Sequence, residues 1–436
     1  MIPCHHPGRT LGGFLLVLTT SLSQGEPGAS PPVDVAVAQA HSEIWRRFID
    51  EHGIMLDFTD LDGSTNLPTP EECRDGKPNA LGWWSPIENG AMFNGLYLDA
   101  AILRWEKTRS DDDLAKARRL MEGLLALNST SEVKGFVARG FSSDGKSHYA
   151  MGSDDQTTPW LVGLWRYWRS GAATDEEKQR IERHLAETVE AILRLDWRMP
   201  AEPPFGTRGS FDGFDFNHAA RQLFALRMME DLTGDEKWAR AYRNERDRRG
   251  GEENQSKLAA CRGGMKFFYA KTHNWTSCTA VYALRGLWEM ETDPEAKAAY
   301  AEGLAASARL AAESLELADH FDPEDPSEFR IDWRTSMLPL WKPQETPREA
   351  VDLASAQVRA FLKVSPRRKL ETAYVREPTA AAWIVTLCPD PEVVRPHLAE
   401  IDAVIRRFDY SQLYYSTFFW VEGAWWRLRE LRQLAD

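Results

Sequence analysis

The chain has 436 residues, 43% of them hydrophobic and 27% charged, a balance that excludes a largely disordered protein. Its formal net charge of -13 argues against nucleic acid as a partner, because phosphate binding needs a basic surface. An anionic sugar stays open, since it needs only a few local arginines.

The first segment reads as a leader. Arg9 and two histidines precede "LGGFLLVLTTSL", and small and polar residues follow, the layout of a secretory signal peptide over residues 1–25. A mature chain starting between Gln24 and Pro32 would be exported, to the periplasm or beyond the cell. The apolar run is short for a bilayer span, and no later stretch approaches the roughly 20 apolar residues a membrane helix needs.

From residue 33 to residue 436 two kinds of helix alternate, distinguished by how much of the circumference is apolar. Residues 35–52 carry one apolar stripe, and residues 88–105 a wide one. The pattern repeats as one-striped 111–127, wide 154–168, one-striped 175–195, wide 217–232, one-striped 235–248, wide 275–290 and one-striped 294–317. After "REAVDLASAQVRAFLKV", a helix with no place in the series, it resumes with a wide helix within 378–387, one-striped 391–408 and wide 418–431. The junctions "TRSDDDLAKAR", "SGAATDEEKQR", "LTGDEKWAR" and "ETDPEAKAA" are alike and recur about every 60 residues, the length of one helical hairpin. This predicts an all-α fold in one domain. Five to six hairpins closing into an (α/α)6 toroid are favoured over an open α-solenoid by the aromatic inner helices and the long loops before them.

Those loops would open on one rim, and each carries candidate site residues. "LGWWSPIENGAMFNGLYLDA" holds Trp83, Trp84, Glu88 and Asn89; "GFVARGFSSDGKSHYAMGSDDQ" holds Arg139, His148, Tyr149, Asp154 and Asp155. "PFGTRGSFDGFDFNHAAR" supplies Arg208, Asp212, Asp215, Asn217, His218 and Arg221, and "KFFYAKTHNWTSC" supplies Tyr269, Lys271, His273 and Trp275. "YSQLYYSTFFWVEG" adds Tyr414, Tyr415, Trp420 and Glu422. Each has an ordinary structural explanation. Ser153 and Gln156 fit a capping box, which would make Asp154 and Asp155 first-turn acids, favoured by the helix dipole. The tryptophans suit a core and the histidines suit internal hydrogen bonds.

Convergence of carboxylates, arginines and aromatics from separate loops is what capping does not explain. Glycoside hydrolysis needs two carboxyl groups, one protonating the leaving oxygen and one activating water or attacking the sugar carbon. A helix N-terminus holds Asp154 or Asp155 ionised, as a base or nucleophile requires. The acid must keep its proton, through burial or a neighbouring negative charge, and either the adjacent aspartate or Glu88 can play that part. Arg139 and Arg208 suit bidentate contacts to a carboxylate or sulfate. No metal or cofactor is called for: Cys4 lies in the leader, and Cys73, Cys261, Cys278 and Cys388 form no C-x-x-C pair. Cys261 and Cys278 are the nearest pair for a disulfide, with free buried thiols the alternative.

The hairpin period and the aspartates before "PWL" resemble the six-hairpin glycosidase superfamily, particularly the unsaturated glucuronyl and rhamnogalacturonyl hydrolases of glycoside hydrolase families 88 and 105. That resemblance implies an (α/α)6 barrel using aspartates as acid and base, without metal, on uronic-acid-containing oligosaccharides, with Asp154 or Asp155 in the role. Gly152 and Ser153 stand where those families place a tryptophan, which points to a related family of the same fold. Two other readings stay open. A polysaccharide lyase would neutralise a uronate with Asn217 or an arginine and use Tyr149, Tyr269 or His218 as base. A non-catalytic sugar-binding or scaffold protein would need the aromatics alone.

Overall fold

A computed structural model describes residues 31–266 and 274–433, so the leader lies outside the described residues. The chain is mostly helical. Its long helices are α1 (Val33–Glu43), α2 (Gly90–Thr108), α3 (Asp111–Ser129), α4 (Asp154–Arg169), α5 (Asp175–Arg194), α6 (Phe216–Thr233), α7 (Glu236–Asp247), α8 (Lys257–Gly263), α9 (Asn274–Met290), α10 (Pro294–Ala312), α11 (Pro347–Val364), α12 (Glu377–Thr386), α13 (Leu398–Arg406) and α14 (Trp420–Gln433). Two small antiparallel pairs, β1 (Arg198–Pro200) with β2 (Thr207–Ser210) and β3 (Arg249–Gly250) with β4 (Gln255–Ser256), lie in connecting loops. Neither pair has a sequence signal of its own, being only two to four residues per strand.

The helix starts follow local chemistry. Thr174 and Glu177 form a reciprocal capping box on α5, Asp215 caps α6, and Asp293 caps α10 before its first-turn proline. On α5 Ile181, Leu185, Val189 and Ile192 lie on the buried stripe, whereas Leu193 is exposed. On α4, Trp160, Leu161, Val162, Leu164, Trp165 and Tyr167 are all buried, so that helix has protein on most sides. Some one-striped helices break where a single run was expected: α1 passes into a wider turn at Ile44–Phe48, and residues 391–408 divide into three short pieces.

The wide helices touch one another in sequence: α2 packs on α4, α4 on α6 and α9, α6 on α9, α9 on α12, α12 on α14, and α14 back on α2. Each also meets one-striped helices, α3 on α2, α5 on α4, α7 on α6, α10 on α9, α13 on α12 and α1 on α14. One apolar cluster draws on every long helix except α11. Where α2 crosses α4, Gly95 and Gly163 let the backbones meet, since a Cβ on either would run into the other helix.

Far from the N-termini of the wide helices, a buried ionic network ties them together. Asp99 of α2 accepts from Arg427 of α14 at 2.6 Å and from Arg166 of α4 at 3.1 Å. Arg166 also pairs with Glu289 of α9 at 2.5 Å, Glu289 with Arg285 at 2.7 Å, and Arg285 donates to the Leu387 carbonyl at the end of α12. Burial resists charge on Glu289, yet Arg166, Arg285 and Arg427 bring its carboxyl down to about 2. A carboxyl lowered in the folded state adds stability above its unfolded value, and that stability is lost as pH falls through the folded one. Glu289→Gln should therefore lose roughly 3 kcal/mol at pH 7, and urea unfolding at a series of pH values should show its deficit shrinking between about pH 4.5 and pH 2.

Among the described residues no helix is long and apolar enough to cross a membrane. Cys73, Cys261, Cys278 and Cys388 are all free and buried, so the Cys261–Cys278 disulfide does not form.

Candidate active site

The N-terminal ends of the six wide helices are joined by hydrogen bonds that pass from one to the next. Asn89, before α2, accepts from Gln156 of α4 at 3.0 Å. Asp154 of α4 pairs with Arg221 of α6, whose other terminal nitrogen donates to Thr279 of α9 at 2.8 Å. The Asn274 N–H at the start of α9 donates to Glu377 of α12, and Thr379 of α12 donates to the Thr417 carbonyl before α14. The next link is Ser416, whose N–H reaches the Asp57 carbonyl at 2.8 Å, and the Asp57 carboxylate returns to Asn89.

Beside residues of this circuit lies a cavity of about 400 Å³ lined by Trp83, Trp84, Glu88, Asn89, Asp155, Trp275, Ser355, Val358 and Arg359. The last three come from α11, the helix the hairpin series leaves unplaced. Thr346 and Glu349 cap it with a reciprocal box, and its buried Gln357 bonds Asn79 and the carbonyls of Pro78 and Met337. These bonds fix α11 as a wall of the cavity.

Asp154 and Asp155, adjacent in sequence, part company because successive helical residues lie about 100° apart. Asp154 turns to Arg221 and Asp155 to the cavity. The capping box expected of Ser153 and Gln156 does not form. Gln156 is buried, with its carbonyl oxygen on the Met92 N–H at 3.0 Å and its amide on Asn89, while the Ser153 hydroxyl donates to Asp155. Contacts with α2 outweigh the local cap.

The two carboxyl groups of the cavity hold their protons differently. Burial resists ionisation of Asp155, but Arg139, the Ser153 hydroxyl, Arg208 and Arg221 together keep its carboxyl below the usual range. Arginines dominate its surroundings. Glu88 goes the other way. Burial raises its carboxyl above the usual range against the opposing pull of Arg368, the Trp84 N–H at 2.7 Å, Arg139 and Asn89.

Behind Glu88 lies an acid absent from the sequence-based candidates. Asp57 is fully buried, and its carboxyl is pushed up to about 8, first by burial and then by Glu88, with the Asn89 hydrogen bonds and Arg368 opposing. An antiparallel bridge between Phe58 and Tyr415 holds it in place, and Tyr415 donates its hydroxyl to Asp57 at 3.4 Å. The signal for it was a lone acid inside the apolar run "IMLDF".

Trp83, Trp84, Asn89 and Trp275 thus line the cavity with Glu88 and Asp155, while Tyr415 reaches Asp57 and is not part of the lining. Other candidates face elsewhere. Arg139 is buried, with its nitrogens committed to the carbonyls of Met151, Glu88 and Gly152 and to Ser153, so it shapes the loop where a bidentate substrate contact was expected. Tyr149 is buried, donating to the Lys77 carbonyl at 2.6 Å, and burial pushes its phenol far above the usual range, which removes it as a lyase base. His148 bonds Glu202. Asp215 caps α6 and pairs with His218; Asp215 and Asn217 line a second cavity of about 390 Å³. Arg208 lies half-buried in β2, its Nε without a partner among the described residues, in the field of Asp155. Glu422 is bound by His41 and Tyr97 between α1, α2 and α14. Tyr269, Lys271 and His273 lie outside the described residues.

No family model matches the chain, and no curated protein does.

Gly209 of β2, at φ 83°, lies where a Cβ would strike Asp154. Gly209→Ala should cost about 1 to 3 kcal/mol in urea unfolding, combining left-handed strain with displacement of Asp154 from Arg221. Gly206→Ala, at φ 69° with open space around it, should cost less, since it carries the strain alone.

Proposed function

We propose that the six wide helices and their partners form an (α/α)6 toroid and that the cavity hydrolyses a glycosidic bond in an acidic, uronic-acid-containing saccharide. The observation that carries this reading is the pair Glu88 and Asp155. Glu88 stands just before α2 and Asp155 in the first turn of α4; they line one tryptophan-walled cavity and have proton affinities driven in opposite directions. Environments that push two carboxyls apart assign the acid and the base.

Glu88, which retains its proton, gives it to the glycosidic oxygen as the bond from the anomeric carbon to that oxygen breaks. Asp155, ionised, either takes a proton from the water whose hydroxyl joins the anomeric carbon, or adds to that carbon itself and is then released by water. Either course consumes one water and leaves two sugar hydroxyls, and solvent returns the proton to Glu88. Trp83, Trp84 and Trp275 offer apolar faces to sugar rings. Arg359 at the α11 wall, together with the dipoles of the helix N-termini, favours an anionic ligand. The return of α14 to α2 supports closure of the toroid, and the resemblance to six-hairpin glycosidases supports both fold and chemistry. An N-terminal leader would send such an enzyme to polysaccharide outside the cytoplasm.

The purified protein should release reducing ends from a panel of uronic-acid oligosaccharides without creating the conjugated uronate absorbance of a lyase. Glu88→Gln and Asp155→Asn should each lower kcat by roughly 10²- to 10⁴-fold. On aryl glycosides with a good leaving group Glu88→Gln should recover more than Asp155→Asn, because such a group departs with less help from an acid. Undiminished turnover in both variants would remove the assignment. The pH–rate profile should be bell-shaped, its acidic limb set by Asp155 and its basic limb by Glu88.

A further inference from the structure

A smaller cavity of about 190 Å³ adjoins the main one, and Trp84 lines both. Helix α11 runs along the two. Its residues Ser355, Val358 and Arg359 line the main cavity and Leu362 the smaller one, the i, i+3, i+4, i+7 spacing of a single helical face. A second join is Arg376, which lines the smaller cavity and whose guanidinium lies 4.5 Å over the ring of Trp275 in the main one. Trp84 itself is fixed. Its backbone N–H donates to Glu88 at 2.7 Å, while its ring packs on Phe361 and, at 4.3 Å, on Arg368, a fully buried cation enclosed by five aromatic rings. A ligand seated beside Glu88 therefore meets a rigid aromatic wall with a second cavity along it.

Three charged side chains line the smaller cavity: Lys369, Arg376 and Glu377. Arg376 and Glu377 pair at 3.0 Å, and the other oxygen of Glu377 accepts the Asn274 N–H at 2.9 Å. Lys369 is exposed and has no hydrogen bond or ion pair among the described residues. One positive charge is thus left unmatched in the lining. The rest of the lining has the character of a sugar site. Trp84, Leu362 and Ala373 offer apolar surface to a ring face, and Thr372, whose hydroxyl donates to the Arg368 carbonyl at 2.7 Å, keeps its oxygen free to accept from a sugar hydroxyl. On the α11 wall of the main cavity Arg359 matches Lys369, being exposed and without a partner among the described residues.

We propose that the smaller cavity is a second saccharide subsite, taking the acidic sugar next to the one in the main cavity, with Lys369 on its carboxylate and Trp84 against its ring. This rests on the reading of the main cavity as a saccharide site. The smaller cavity has less than half the volume of the main one, which suits a single ring. With Arg359 free in one cavity and Lys369 free in the other, the groove selects successive uronic acids over a lone uronic acid set among neutral sugars.

Titration calorimetry on the Glu88→Gln protein, which leaves the ligand intact, tests this with oligogalacturonates and oligoglucuronates of one to three residues, and with cello-oligosaccharides of the same lengths as neutral controls. Acidic dimers should bind more tightly than acidic monomers, by a larger factor than in the neutral series. Adding Lys369→Met, at an exposed position, should weaken acidic dimers and trimers by roughly three- to tenfold and leave monomers unchanged. Ala373→Phe, which fills the smaller cavity, should remove the gain from the second residue, whereas Arg359→Met should weaken monomers and dimers alike. Dimers that bind the Lys369→Met and Ala373→Phe proteins as tightly as the parent would overturn the second subsite and leave the reading of the main cavity intact. An equal loss for monomers and dimers in Lys369→Met would overturn it as well, as the mark of a general field and not of a subsite. A parent that binds none of the acidic saccharides would instead remove the saccharide reading of the main cavity, and the second subsite with it.

Discussion

A buried guanidinium facing two buried carboxyls is the constraint around which this site is arranged. Arg368 cannot shed its charge by losing a proton, because a guanidinium holds one throughout the range in which proteins fold. Its surroundings must therefore compensate it. The rings of Phe58, Trp84, Phe329, Phe361 and Tyr415 come from parts of the chain more than 350 residues apart, so the cage exists only once those parts have packed. Trp84 illustrates the cost: its backbone sits at φ 69°, a conformation that side-chain-bearing residues rarely adopt, and from there it reaches both Glu88 and Arg368.

The two ends of the wide helices do different work. At one, Asp99, Arg166, Glu289, Arg285 and Arg427 lock four helices with ion pairs and leave little for a ligand. At the other, hydrogen bonds link every wide helix to the next while the side chains between them remain open to a cavity. Rigidity at one end and relayed bonds at the other would hold Glu88 and Asp155 in a fixed relation, which acid and base catalysis demands.

Helix type was legible in the sequence because the breadth of an apolar surface follows from residue order alone. Every wide helix read from spacing has its counterpart from α2 to α14, with ends differing by a few residues. Trp83, Trp84, Glu88, Asn89, Asp155 and Trp275 were legible as a group because each stands at or just before the start of such a helix. Position along a loop says nothing about direction, however. Arg139 and Tyr149 share a loop with the aspartates and turn inward, and the Ser153–Gln156 capping pattern yields to bonds made by Asn89 and Met92. Asp57, Arg368 and the place of α11 were missed for one reason. Their meaning depends on partners far along the chain: Asp57 stands out only as a lone acid in a short apolar run, and Arg368 among basic residues has no local period to mark it.

The most direct test of the account is a crystal structure of the Glu88→Gln protein with an acidic oligosaccharide bound. The account predicts a glycosidic oxygen within about 2.6 to 3.2 Å of residue 88, with Asp155 facing the anomeric carbon and sugar rings against the tryptophans. A saccharide bound elsewhere, or one seated in the cavity with its glycosidic bonds away from both residues, would contradict it.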